Sequence, residues 1–257
     1  MHSILTGLIL CAFFQLDAAE KIAKSFRKPV LIDTDIFSDV DDVGSLAVAN
    51  VLHNNGLADL RGVVINTPSK YGALATSVIN TYFGNGDIPI GAMRPLTNAT
   101  FFDDYSFRLG EYAGKVSNNW PRMLNDSEAT PTPVDLYRSV LSSAESRSMT
   151  LISLGFLTNL AALMESPPDH LSSLTGRALI SAKVKELVVM GGRYPSGWEF
   201  NFGGSDPEST YHVVNNWPAD VAVTFSGGEL GEDIFSGGGL AKHAPPDSPV
   251  LAAYQWA

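Results

Sequence analysis

The sequence has very little cysteine and few basic residues. Cys11 is the one cysteine among 257 residues, so no disulfide can cross-link the chain to itself. A chain of this length can instead be stabilised by an apolar core. The 17 Lys and Arg residues are outnumbered by 27 Asp and Glu residues, which gives a net charge of −10. A field of this sign repels nucleic-acid phosphates and anionic lipids, and it suits a cation or a neutral small molecule as partner.

Long apolar runs are absent after the first nineteen residues. Residues 4–14 are apolar but too short to span a bilayer comfortably, and small residues follow them. The pattern predicts a secretory signal peptide over residues 1–19. Because this segment has no Lys or Arg before its apolar run, a buried first helix is the alternative. Sequons at Asn98 and Asn125 fit N-glycosylation of a secreted protein.

Short apolar runs alternate with helical patterns along the rest of the chain. This alternation predicts an α/β domain over residues 28–257, with an open, mainly parallel, Rossmann-like sheet covered by helices on both faces. A polar excursion with one short helix is expected over residues 95–131. Strands are expected at 30–32, 62–65, 88–90, 150–154, 186–190 and 221–225, and helices at 43–52, 71–82, 134–146 and 158–164 and from Asp206 onward.

Several of the predicted strands end at residues that are suited to a site. Asp33, Asn66 and Gly191 each follow an apolar strand, and Leu154 closes another. In parallel sheets ligands bind beyond the carboxyl ends of the strands. We therefore expect these strand ends to converge on one crevice.

Five aspartates lie within ten residues, directly after the first predicted strand. They are Asp33, Asp35, Asp39, Asp41 and Asp42. Carboxylates at this density repel one another unless solvent or a cation separates them. Calcium accepts about six to eight oxygen ligands and explains the cluster economically. The alternative is an acidic surface turn in which Asp41 or Asp42 caps the next helix.

Two other acidic motifs fit the segment less well. An EF-hand beginning at Asp33 would place Phe37, Ser38 and Gly44 at its fifth, sixth and twelfth positions, and all three are unsuitable. Haloacid-dehalogenase-type phosphatases also have Asp-x-Asp after a strand. They usually carry Thr or Val two residues beyond the second Asp, where this chain has Phe37. This phosphatase remains the less favoured alternative.

The aspartate segment resembles the amino-terminal signature of the inosine–uridine-type nucleoside hydrolases. That signature is a strand, Asp-x-Asp, a short loop, Asp-Asp and a helix, and Asp33, Asp35, Asp41 and Asp42 match its aspartates. The loop is two residues longer than the commonest form, so either Asp39 or Asp41 can take the inner position. Asp41 is favoured, because with Asp42 it adjoins the predicted helix.

Three further segments resemble the same family in the same order. Residues 153–159 (SLGFLTN) resemble the turn that lends a main-chain carbonyl to the metal, with Leu154 at that position. Residues 188–192 (VVMGG), followed by Glu199-Phe200-Asn201, resemble its Met-Gly-Gly and Glu-Phe-Asn motifs. Asn66 lies in the counterpart of a second sugar-contacting loop.

The resemblance implies calcium-dependent hydrolysis of ribonucleosides to free base and ribose. The implied metal ligands are Asp35, Asp42 and the carbonyl of Leu154, and Asp35 is also the implied base. The implied ribose contacts are Asp41, Asn66, Glu199 and Asn201, and Asp33 would support Asp35 from behind.

The resemblance also implies a secreted, fungal-type member that acts on a small ribonucleoside. It implies a homo-oligomer, while the net charge and the lack of a later long apolar segment predict no nucleic-acid partner and no membrane attachment in the mature form. The resemblance runs from Lys28 to the last residue, and the family's C-terminal segment, with one more metal-binding aspartate, would be lacking. The alternative is a non-catalytic or inactive member that binds metal or sugar without turnover.

Overall fold

Six parallel strands form one sheet. The computed structural model describes residues 27–37, 40–97, 112–204 and 206–256. The predicted signal peptide, Asp39 and the Asn98 sequon lie outside the described residues. The strand order is β3-β2-β1-β4-β5-β6, and every pairing is parallel. The strands are β1 (Lys28–Thr34), β2 (Ala58–Ile65), β3 (Ile90–Ala92), β4 (Met149–Ser153), β5 (Val184–Met190) and β6 (Ala222–Ser226).

Helices connect the strands and follow the sheet to the end of the described chain. In the described ranges none of them is both long and apolar enough to cross a membrane. They are α1 (Asp41–Asn54), α2 (Lys70–Tyr82), α3 (Tyr112–Asn119), α4 (Pro133–Ser143), α5 (Thr158–Glu165), α6 (Gly176–Lys183), α7 (Phe200–Gly203), α8 (Pro207–Asn216), α9 (Gly228–Gly231), α10 (Leu240–His243) and α11 (Pro249–Trp256), with a short 3-10 helix at Ser127–Ala129.

The predicted open parallel sheet is confirmed, and the third strand lies two residues later than expected. It was expected at residues 88–90 and lies at Ile90–Ala92. Pro89 has no N–H to donate to a ladder. Its carbonyl still accepts a hydrogen bond from the Val63 amide at 3.0 Å, so pairing with β2 begins there and the strand continues past the proline.

Two helix predictions needed correction. The helix expected at 134–146 ends at Ser143, because Ala144 is extended with ψ 155°. Helix α6 was not predicted at all. Its only buried residues are Gly176, Leu179 and Ile180, which is too small an apolar face to stand out in the sequence.

Apolar side chains pack on both faces of the sheet. Along β1, Val30 and Ile32 point into one core, while Leu31 points into the other. Helices α1, α2, α3 and α11 cover the first face, and α4, α5, α6 and α8 cover the second. Burial on both faces explains the apolar runs within the central parallel strands, such as residues 30–32 in β1 and 187–190 in β5.

The strand order creates a switch point between β1 and β4. From β1 the chain builds β2 and β3 on one side, then returns to place β4 on the other side of β1. Connections that diverge from neighbouring strands leave a crevice at their carboxyl ends. Asp33 at the end of β1 pairs in register with Ser153 at the end of β4, so the aspartate segment and the Leu154 turn flank this crevice.

Candidate functional site

The end of β1 is tied to the start of α1 through Thr34. Its hydroxyl donates a short hydrogen bond to Asp42 Oδ1 and accepts one from the Ile36 amide at 3.1 Å. Asp41 and Asp42 occupy the first turn of α1, where the helix dipole favours acidic groups. Asp42 is buried and Asp41 is exposed. The first turn of α1 is therefore held beside the strand end that carries Asp35.

Asp35 lies against the turn that follows β4. The residue is half-buried, and a Cβ built on Gly155 would lie 2.5 Å from Asp35 Cγ and Oδ1. Only glycine permits this approach. The Leu154 amide also donates to the Asp33 carbonyl at 2.7 Å. The Asp35 carboxylate thus lies next to the peptide that carries the predicted metal-binding carbonyl.

Asn201 joins the ends of β4 and β5. Its Nδ2 donates to the Leu154 carbonyl at 2.8 Å and to the Met190 carbonyl at 3.3 Å. The residue is 7% exposed. Two predicted site residues, one expected to bind metal through its carbonyl and one to bind ribose, are therefore in direct contact.

Glu199 organises the loop between β5 and α7. One carboxylate oxygen accepts from the Asn201 amide at 2.8 Å, and the other accepts from Gly192 at 2.8 Å and Phe202 at 3.1 Å. Gly192 has φ +78°, a left-handed conformation that favours glycine. Since a carboxylate can accept about four hydrogen bonds, Glu199 retains capacity for one further donor.

Asp33 is a buried carboxylate surrounded by side-chain donors. Tyr137 donates its hydroxyl to Oδ2 at 2.8 Å, while Asn66 and Asn159 each donate to Oδ1 at 3.0 Å. Burial raises the pKa of Asp33 to about 7, although these donors oppose the shift. Burial and the neighbouring Asp33 likewise raise the pKa of Tyr137.

The side-chain amide of Asn66 makes most of its hydrogen bonds within the protein. Its Nδ2 also donates to the Phe156 carbonyl at 2.8 Å, so both amide hydrogens bind protein, and the residue is 2% exposed. Its Oδ1 is buried and has no hydrogen-bond partner in the described part of the chain. A contact of Asn66 with a sugar, as the sequence predicted, would have to use that oxygen.

The predicted cation ligands suit a hard cation in kind but are few in number. Asp35, Asp42 and the Leu154 carbonyl are oxygen donors of the type that calcium prefers, and they supply three of its usual six to eight ligands. Within the described ranges, no three His, Cys, Asp or Glu side chains are grouped to hold a metal ion. Asp39 lies outside those ranges.

Two aromatic side chains of the loop after β5 remain at the surface. Trp198 is 67% exposed and Tyr194 is 44% exposed. The Trp198 ring packs edge-on against Phe200 at 6.2 Å between centroids, and the Tyr194 ring is 6.1 Å from that of Phe225. Both anchor the loop while leaving an aromatic face open.

Sequence reasoning missed four residues that build the site. Thr34 sits between two predicted aspartates, so its place in the motif was a usable signal. Gly155 and Asn159 lie inside the SLGFLTN turn, but nothing local shows that they meet Asp35 and Asp33. Tyr137 lies 104 positions from Asp33, and no local pattern links the two.

The fold and the crevice define a doubly wound α/β protein with its candidate site at the topological switch point. The family model described as inosine-uridine preferring nucleoside hydrolase matches residues 30–235, which is most of the chain. The chain therefore belongs to the inosine-uridine preferring nucleoside hydrolase family. Among curated proteins no match was found.

Solved structures share the fold at low sequence identity. An inosine-uridine preferring nucleoside hydrolase from Bacillus anthracis is 23% identical, with a TM-score of 0.55 over 79% of this chain and 65% of that one. A purine-preferring ribonucleoside hydrolase from Gardnerella vaginalis is 18% identical, with a TM-score of 0.55 over 78% and 60%. A plant nucleoside hydrolase is 21% identical, with a TM-score of 0.51 over 79% and 60%. The match thus spans less than two thirds of each relative.

Proposed function

We propose that this chain hydrolyses the N-glycosidic bond of ribonucleosides to free base and ribose, and that the reaction depends on calcium. The observations that carry the proposal lie at the carboxyl ends of β1, β4 and β5: Asp35 lies against Gly155, Asn201 donates to the Leu154 carbonyl, and Thr34, next to Asp35, donates to Asp42. Family membership supports the same reaction class. The names of two similar structures, an inosine-uridine preferring and a purine-preferring hydrolase, support ribonucleosides as substrates.

The cation would be held by Asp35, Asp42 and the carbonyl of Leu154. When bound, calcium supplies positive charge that acidifies a water molecule and orients sugar hydroxyls. The two carboxylates reach this point from different elements, one after β1 and one in the first turn of α1. The hydrogen bond from Thr34 to Asp42 and the close approach of Asp35 to Gly155 support this assignment.

Cleavage of an N-glycosidic bond needs a base for water and stabilisation of a sugar cation. Asp35 would accept the proton of the attacking water, because its half-buried carboxylate lies against Gly155, the residue that follows the candidate ligand carbonyl. The departing base leaves a ribosyl group with oxocarbenium character. Asp35 and Asp41 would supply negative charge to stabilise that developing positive charge.

Ribose recognition would use the remaining polar groups of the crevice. Asp41, exposed in the first turn of α1, would accept a hydroxyl hydrogen bond. Glu199 has one acceptor site left after its three backbone partners. Asn201 and the Oδ1 of Asn66 would complete the set, and Asp33 would support Asp35 from behind.

A non-catalytic member that binds metal or sugar is the second candidate function. Two observations favour it. Much of the hydrogen-bonding capacity of Asn66, Glu199 and Asn201 is already used within the protein. The described carboxylates also fall short of a three-residue metal cluster. The phosphatase alternative has no such support.

The test is ribose release from inosine and from uridine by the purified full chain, with calcium and with a chelator. Asp42→Ala removes one carboxylate of the crevice. Asp87→Ala is the matched control, because Asp87 is exposed and precedes β3, away from the crevice. The proposal expects calcium-dependent release that is lost in Asp42→Ala and kept in Asp87→Ala. Calcium binding without release would favour the second candidate.

We also propose that the mature protein is secreted after removal of residues 1–19 and is N-glycosylated at Asn98 and Asn125. Asn125 is exposed on a described surface loop, which supports the second sequon. Expression in a eukaryotic secretory host, with N-terminal sequencing and endoglycosidase treatment of the medium protein, tests both points. The expected homo-oligomer is tested by the mass of the protein in solution.

A further inference from the structure

A tyrosine hydroxyl lies deep in the second core, where packing alone does not require it. Tyr137 belongs to α4, is 0% exposed and is surrounded by the apolar side chains of that face. Phenylalanine would fill the same space. The hydroxyl donates to Asp33 Oδ2 at 2.8 Å, so its role is to satisfy a carboxylate that would otherwise be buried at high cost.

That carboxylate connects four elements beneath the crevice. Oδ1 of Asp33 accepts hydrogen bonds from Asn66, which follows β2, and from Asn159, which lies in the first turn of α5. Oδ2 receives Tyr137 from α4. Asp33 itself belongs to β1. A single side chain therefore holds β1 against groups from both neighbouring connections.

The position of Asp33 affects the candidate catalytic groups through one hydrogen bond and through the backbone that leads to Asp35. The carbonyl of Asp33 accepts the Leu154 N–H at 2.7 Å, which fixes the peptide between Ser153 and Leu154, and the next peptide along the chain bears the candidate ligand carbonyl. Two residues further on, Asp35 lies against Gly155 with no room for a Cβ between them. A small rotation at Asp33 would therefore change the position of the Asp35 carboxylate relative to the Leu154 carbonyl.

We propose that Tyr137 is a positioning residue of this site, which acts through Asp33 to fix Asp35 against the Leu154 turn. The inference rests on the proposed function for its catalytic consequence, but its structural content stands independently. Tyr137 does not touch substrate in this account. Asn159 is the second donor of the same kind, on the opposite oxygen of the carboxylate.

The test compares Tyr137→Phe with Tyr82→Phe in the full chain. Tyr82 ends α2 and is 38% exposed, which makes it a matched loss of a hydroxyl. The first readout is amide hydrogen exchange at Leu154 against that at Leu187, a core residue of β5. The second is calcium affinity by titration, and the third is kcat and KM for ribose release.

Tyr137→Phe is expected to speed exchange at Leu154 by at least about tenfold relative to Leu187, because the Asp33 carbonyl loses its fixed orientation. Calcium affinity is expected to fall about tenfold, in the range seen when outer partners of metal ligands are removed. kcat should fall with little change in KM. Tyr82→Phe should alter none of these.

A merely structural role would speed exchange at Leu154 and Leu187 together as global stability falls, and that result would overturn the inference. If the wild-type chain releases no ribose, the proposed reaction fails, while selective exchange at Leu154 still decides the positioning role. Should Tyr137→Phe fail to fold, Asn159→Ala tests the same carboxylate. In the double variant the two effects should be less than additive, because both act through Asp33.

Discussion

Substitution of Gly155 by alanine gives the sharpest perturbation of the candidate site. The added Cβ would lie 2.5 Å from Asp35 Cγ and Oδ1 and 2.7 Å from Asp35 Cβ. Ordinary carbon contacts lie at about 3.5–4.0 Å, so Asp35 must move by roughly 1 Å. Displacement of a catalytic group by about 1 Å can cost on the order of 100-fold in rate. We therefore expect kcat/KM for ribose release to fall about 100-fold, which corresponds to about 2.7 kcal/mol.

The free energy of unfolding should change by less than the activation free energy, because two opposing effects act on it. Gly155 is not among the residues with positive φ, so alanine fits the backbone. Because alanine lowers the conformational entropy of the unfolded chain, it should stabilise the folded state by about 0.4–1 kcal/mol. Crowding against Asp35 opposes this gain by about 1–3 kcal/mol. Gly238→Ala is the control, since nothing lies within 4 Å of the Cβ it would add. Full activity of Gly155→Ala, measured by ribose release beside urea unfolding, would refute the placement of Asp35.

Three further predictions address the site and the fold. Thr34→Val removes the hydroxyl that donates to buried Asp42, so the free energy of unfolding should fall by about 1–3 kcal/mol. Calcium titration should also show weaker binding. If the unfolding free energy and the calcium affinity are both unchanged, Thr34 does not hold Asp42 in place. A chelator should lower the midpoint of thermal unfolding, because calcium at about 100 times its Kd would add about 2.7 kcal/mol to the free energy of unfolding. The same midpoint in saturating calcium and in chelator would argue against a bound cation. Buried Arg138 donates to Asp169 at 2.7 and 2.9 Å and lowers the pKa of that carboxyl. The stabilisation by this pair is therefore complete above the pKa of Asp169 in the unfolded chain and is lost as pH falls below about 4. In urea unfolding, the stability difference between the wild type and Asp169→Asn should shrink as pH falls over that range, and a constant difference would contradict the coupling.

The fold could be predicted in large part because burial on both faces gives the central parallel strands continuous apolar runs. Residues 30–32 and 187–190 are of this kind, and both lie within strands of the structure. The short third strand was displaced because its backbone pairing, unlike its composition, depends on the missing N–H of Pro89. Helix α6 escaped prediction because only three of its eight residues are buried.

The residues of the candidate site could be predicted motif by motif, but most contacts between distant side chains could not. Asp35 and Asp42 lie in one motif, which runs from the end of β1 into the first turn of α1. The partners of Asp33 come from three distant segments, and only the folded chain shows that Asn66, Asn159 and Tyr137 meet on one carboxylate. The roles of Asp41, Glu199 and Asn201 in ribose binding remain predictions.

A crystal structure of the chain with calcium and ribose tests the central claim most directly. The account predicts an ion within about 2.3–2.6 Å of Asp35, Asp42 and the Leu154 carbonyl, the distances typical of calcium–oxygen contacts. It also predicts ribose hydroxyls on the same ion, with Glu199 and Asn201 beside the sugar. An ion bound elsewhere, or a crevice that takes up neither ligand at saturating concentration, would contradict the assignment of this crevice as the active site.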